Sequence, residues 1–141
     1  MSLLALVIDR LRAEVPGLRA VQGAADLASV LDQRSPPQSP SAWVIPVSDT
    51  GGANALVNVV SQALAERVGV VVAQRNVADP RAEHAVLDVK AVIDAIRAAL
   101  VGWAPEGFDP VLFVSGRLTA VADGTVWWTD EFRTESELRA T

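Results

Sequence analysis

The sequence predicts an α/β fold of the α+β kind. A mixed, largely antiparallel sheet carries a long helix and an N-terminal helix and ends in a β-hairpin. Three stretches predict it. Residues 111–121 and the run from Thr125 are strand-like and flank Ala122-Asp123-Gly124, where an Asp-Gly pair supplies the positive φ of a tight hairpin turn. Residues 79–100 open on Asp79-Pro80, an N-cap followed by a proline whose missing N–H costs a helix nothing, and then repeat apolar side chains every three or four positions. Residues 68–76 are dense in valine, whose branched Cβ favours extended backbone.

The remaining elements follow in chain order. Residues 3–15 put Leu4, Val7, Ile8, Leu11 and Val15 on one helical face, with Ser2 able to cap the start and Pro16-Gly17 ending it. Residues 18–22 are a short strand candidate, and 24–33 a short helix with Leu27, Val30 and Leu31 as its stripe. Residues 34–41 (RSPPQSPS) suit neither ladder nor helix and read as an exposed connector. Residues 42–47 read as a strand with Trp43 and Ile45 on one face and Val44 on the other. Pro46 suggests an edge position or an early end there. Residues 49–55 (DTGGANA) are expected to be a mobile loop, because two adjacent glycines without an apolar anchor leave ordering entropy uncompensated.

Residues 57–76 are read as one β segment throughout, although a helical reading also fits the first half. Val60, Leu64, Val68, Val70 and Val72 share one strand parity, interrupted by Gln62 and Glu66, while Val57, Val60, Leu64 and Val68 also fit helical spacing. As one strand the segment would span about 60 Å at ~3.3 Å per residue. A domain of this size has a radius of gyration of only about 14 Å. The strand must therefore bend, with Gly69 the expected place, or project as half of an arm that needs a partner. In the 79–100 helix, Val86, Val89, Ile93, Ile96 and Leu100 form the buried stripe. Glu83, Asp88, Lys90, Asp94 and Arg97 are expected to face water.

At 141 residues, half of them hydrophobic, the chain is read as one domain, 1–141. No apolar run reaches the ~18 residues that span a bilayer, and the N-terminus reads as an amphipathic helix rather than a secretory signal. With no cysteine, disulfides, thiolate-ligated zinc and thiol catalysis are excluded. Twelve basic against seventeen acidic residues give a net charge of −5, and Lys90 is the single lysine. Nucleic-acid binding needs clustered cations to displace phosphate counterions, and none is present.

Catalytic patterns are weak. His84, the only histidine, sits beside Glu83 and one turn before Asp88, without the converging partners of a general base or metal site. Ser115-Gly116 lacks the spacing of a nucleophile elbow, and Thr50-Gly51-Gly52 lacks the Gly-Lys-Ser/Thr of a phosphate loop. Asp130-Glu131 and Glu135/Glu137 read as solvated charges. Trp127-Trp128 places rings on opposite strand faces, so one can be core while the other needs a second layer or another subunit. No cofactor and no metal are expected.

The order of these elements, with Gln74-Arg75-Asn76, the 100–105 run LVGWAP, Gly116-Arg117-Leu118 and Trp127-Trp128-x-Asp130-x-Phe132, resembles the phage tail terminator family over most of residues 42–138. That resemblance implies a non-enzymatic structural virion protein, made in the bacterial host cytoplasm and placed at the head-proximal end of the tail of a phage or gene transfer agent-like particle. It implies a ring, usually a hexamer, that caps the tail tube, stops its polymerisation and joins the head connector, adaptor or stopper. DNA would pass through the lumen without specific binding, and no membrane is involved. Gly102, Trp103 and Pro105 would shape the helix-to-hairpin turn, Gly116 and Arg117 would allow a close approach or bulge, and Phe132 completes the motif. Val60, Leu64, Arg67, Val68, Trp127 and Trp128 are the candidate subunit interface. Two alternatives stand beside it: another neck or head–tail joining protein, or an oligomeric enzyme with an intersubunit site using His84.

Overall fold

Eight elements follow one another in the computed structural model, which describes residues 2–33, 39–75, 83–122 and 124–140, with residues 33 and 83–87 described by backbone alone. They are α1 (Leu3–Glu14), β1 (Ala20–Gly23), α2 (Ala24–Gln33), β2 (Ser41–Gly51), β3 (Val60–Arg75), α3 (Glu83–Leu100), β4 (Leu112–Ala122) and β5 (Thr125–Ala140). The strands form one sheet in the order β1-β2-β3-β5-β4. All neighbours are antiparallel except β1 and β2, whose parallel pairing is made possible by the α2 crossover. The expected α+β architecture is what the chain adopts.

Strand parity sorts the helices onto two faces. α1 and α3 cover the face that carries Ala42, Val44, Val68, Val70, Val72, Val126 and Phe132. Their own contributions are Leu3, Val7 and Leu11 from α1 and Val89, Ile93, Ile96 and Leu100 from α3, all buried. Each fully buried aliphatic side chain of this kind stabilises the fold by about 1.5–3 kcal/mol. α2 covers the opposite face, where Leu27 and Val30 pack on Trp43, Val71 and Ala73. Ser2 caps α1 as expected, its hydroxyl accepting from the Ala5 N–H at 3.2 Å. Gly102, at φ +85°, adopts the left-handed conformation that ends α3.

Residues 60–67 are strand, as read, because β2 and β5 flank them and take up their backbone hydrogen-bonding groups. Other expectations are corrected. β3 keeps an unbroken register with β5 from Val60 to Arg75, so no register shift falls at Gly69. The irregularity lies in β2, where the register shifts between Pro46 and Ser48. Gly69 instead makes room for Ile45 and Val47, whose side chains would lie 3.1 and 3.3 Å from a Cβ there. Pro46 lies beyond the end of β1, where β2 has a neighbour on one side only. Residues 49–51 belong to β2 rather than to a loop. The Asp79-Pro80 cap, Asn76, residues 34–38 and Asp123 of the hairpin turn lie outside the described residues. Gly124 of that turn has φ +74°.

Candidate assembly interface

The hydrophobic core stops part-way along the sheet. Its last members on each strand are Val44 and Ile45 on β2, Val68 on β3 and Phe132 on β5. Beyond them the three strands continue as an arm: β2 to Gly51, β3 from Val60, β5 to Ala140. Polar side-chain pairs, some across strands and some along β5, hold the arm instead of a core. Arg67 meets Glu131 at 3.3 Å, Arg133 meets Glu135 at 2.6 Å, and Glu137 accepts from both the Ser61 hydroxyl and Arg139 Nε. Those two bonds, Ser61 first, hold the Glu137 carboxyl below its ordinary value. On the other arm face Glu66 lies opposite Asp49; partial burial, with help from that like charge, pushes its carboxyl up.

The arm ends in a tip that is tied down. Asn54 Nδ2 donates to the carbonyls of Leu56 (2.9 Å) and Val59 (3.1 Å), and its Oδ1 accepts from the N–H of Leu56 (3.3 Å) and Ser61 (2.8 Å). Gly52 N–H bonds the Ala63 carbonyl and Ala55 N–H the Ser61 carbonyl. A side-chain amide thus supplies an anchor for a stretch that has no apolar one. The tip held this way presents Leu56, Val57 and Val59 to solvent, with Val57 84% exposed.

β4 forms the open edge on the far side of the sheet, and Leu112, Phe113, Leu118 and Val121 on it are all exposed. Where β4 approaches α2, an apolar groove of about 250 Å³ is lined by Leu27, Leu31, Val71, Thr119, Ala120, Trp127 and Thr129.

A charged latch pins β4 and β5 to α3. Asp130, 1% exposed, accepts two bonds from Arg97, at 2.7 and 2.9 Å, and a third from Trp128 Nε1 at 2.7 Å. Arg97 stacks on the Phe113 ring at 4.4 Å, and Lys90 Nζ lies 4.6 Å over Trp128. The bond from Arg97 to Asp130 raises the Arg97 pKa further. Gly116 sits opposite Asp130 in the ladder, and a Cβ there would overlap Asp130 Oδ1 and stand 2.7 Å from Arg97 Nη2. Nothing but glycine leaves room for the latch.

The corner between α3 and β4 is similarly fixed. Trp103 N–H bonds the Leu100 carbonyl, Val111 N–H the Trp103 carbonyl, and Phe108 N–H the Pro105 carbonyl. Arg10 lies 5.2 Å over the Trp103 ring. Thr134 Oγ1 donates to the Asp109 carbonyl at 2.5 Å, buckling this corner to the arm.

A family model described as phage tail terminator protein matches residues 2–141. The chain belongs to the phage tail terminator family. It is a structural protein of a virion tail. Among solved structures, a chain in one titled "Virion of native gene transfer agent (GTA) particle" superposes with a TM-score of 0.65 at 20% identity, covering 97% of this chain and 96% of that one. At that identity the likeness shows a shared fold. No curated protein sequence matches.

The terminator motif residues fall at the fixed points of the fold. Gly102, Trp103 and Pro105 make the corner. Gly116 and Trp128 meet at the latch, and Phe132 lies in the core with Phe113 edge-on at 5.9 Å. Arg117 is exposed on β4 opposite Thr129. Of the candidate interface residues, Val60 and Arg67 are exposed on the arm and Leu64 is half-buried there. Val68 is corrected: it is 5% exposed and packed inside its own subunit's core. Both tryptophans are partly covered within the chain. Trp127 stacks on Trp43 at 5.6 Å beneath α2, and Trp128 packs against the α3 side. Asp130 is buried rather than solvated, and Arg97 turns its guanidinium onto Asp130 while staying partly exposed.

Sequence reasoning missed three groups: Arg97, the burial of Asp130, and the clamp made by Asn54. Arg97 and Asp130 are 33 residues apart, so no local spacing links them. An asparagine beside Gly51-Gly52 was the available signal for the tip. The His84 side chain lies outside the described residues. Among those described, no group of three His, Asp or Glu could hold a metal ion.

Proposed function

We propose that this protein closes into a ring, six copies around, that caps the head-proximal end of the tail tube, stops its polymerisation and joins the tail to the connector, adaptor or stopper of the head. It does so without catalysis. The observation that carries the reading is the arm: three strands that leave the core, keep their pairing, and present an ordered apolar tip with no cover. Exposed apolar surface of this kind is costly in water and marks a contact with another chain. A head-to-tail contact repeated about an axis closes a ring, and six copies is what the family resemblance implies. The net charge of −5 supports a lumen that lets DNA pass without holding it.

The test is removal of the chain from an assembling particle. Tails of uncontrolled length, unjoined to heads, are expected, with wild-type protein restoring both length and joining. Tails of normal length that fail to join would overturn the capping role in favour of a neck protein. Normal, joined tails would overturn the whole reading.

A further inference from the structure

Among the described residues, the arm tip and the groove beside α2 are apolar surfaces that the fold leaves uncovered. Between Asp49 and Glu66 no residue is charged, and the tip lies in the middle of that stretch. None of the groove's lining residues is charged either. One surface is convex and the other concave. Both sit on the same strand: Val60 begins β3 at the tip, and Val71 lines the groove. Eleven residues of extended backbone separate them by about 36 Å. The unbroken pairing of β3 with β5 keeps that distance fixed, so a subunit's own tip does not reach its own groove.

Building on the ring reading above, we propose that the tip of each subunit, with Val57 at its apex, inserts into the groove of the next copy between α2 and the end of β4. A second copy is the occupant that the chemistry favours. Chains that each carry a charge of −5 repel one another, and that cost is least where neither contacting surface adds charge. The Asn54 clamp orders the tip before contact, which lowers the entropy lost on docking. Knob and hole at opposite ends of one strand make the contact heterologous, the type that closes rings.

The absence of native cysteine allows a direct test. Val57→Cys and Ala120→Cys, placed together in the chain, should on oxidation or with a short bis-maleimide give a covalent ladder ending at the closed ring. A mixture of the two single variants should give only Val57–Ala120 pairs. A double variant that assembles by light scattering yet stays uncrosslinked overturns the contact while leaving the ring reading intact. So does Val57→Cys linking to itself or to another protein of the particle. A wild-type chain that never forms a ring overturns both. As a second measurement, Val57→Glu should weaken self-association by at least about tenfold and Val57→Leu should not. Circular dichroism should be unchanged in both. Equal association of Val57→Glu and wild type overturns the proposal.

Discussion

At Gly116 one missing methyl group permits a buried carboxylate. A side chain there would displace Asp130 or Arg97, and a buried acid deprived of its cation is strongly disfavoured. Arg97 keeps some water contact, so the loss stays within the range of a few charge-assisted bonds. Gly116→Ala should cost about 2–3 kcal/mol and lower the calorimetric melting temperature. Gly17→Ala, whose Cβ would meet nothing within 4 Å, serves as the neutral control. Equal melting of the two variants would remove the latch from the account. Because the bond to Asp130 raises the Arg97 pKa above its already high ordinary value, the guanidinium keeps its charge in the latch through neutral pH and loses it only in strong alkali.

Glu66 has the opposite character. Its folded pKa is raised above 4.5 by burial and by Asp49, so its charged form is disfavoured in the folded arm. The penalty is absent below 4.5 and grows as pH rises through the raised value. Glu66→Gln should therefore increase amide protection in the arm at neutral pH, and the gain should vanish as pH falls to 4.5 and below. Glu137, with a lowered pKa, loses its contribution only as pH falls below 4.5, so the two windows do not overlap. A gain for Glu66→Gln that is the same at every pH would contradict this assignment.

At the scale of the element, the arm shows how strands persist without a core. Each of β2 and β5 pairs β3 beyond the last buried apolar residue, and side-chain ion pairs and the Ser61–Glu137 bond replace packing. Exposed pairs of this sort contribute little singly. The tip depends on one residue, Asn54, which closes four hydrogen bonds across residues 54–61. Asn54→Ala should speed hydrogen exchange at Leu56 and Ser61 by roughly tenfold or more, the loss of one to two net hydrogen bonds. Exchange at Val70 and Val72, deep in the core, should not change. Unaltered exchange at the tip would show that the loop is held by something else.

At the scale of the whole molecule, the acidic charge sets the conditions of assembly. In the proposed ring, copies carrying −5 each would repel one another, while the groove is lined by uncharged residues. Salt shortens the reach of that repulsion, from ~14 Å at about 0.05 M to ~4 Å at about 0.5 M. Association followed by light scattering should therefore strengthen with added salt over this range. A ring that dissociates as salt rises would mean that charge pairs, and not apolar insertion, join the copies.

The sequence by itself determined the local structure and the family. Apolar spacing placed all three helices, because one-sided burial imposes a period of 3.6 residues. Valine density marked the buried half of β3, and the ordered run of short motifs pointed to the tail terminators. Only the tertiary structure decided the rest. Residues 60–67, read as strand, also fit a helical period, and β2 and β5 settled the matter by supplying pairing partners on both sides. The 49–55 stretch looked loose because its anchor is a side-chain amide reaching to Ser61, an interaction that leaves no periodicity to read. Asp130 looked solvated because its burial depends on Arg97, on a helix 33 residues earlier, and on the empty side-chain position at Gly116. Hydrophobic patterns are local and repeat along the chain. Hydrogen-bonded and charged pairs join distant residues once each, and they become visible only when the fold brings them together.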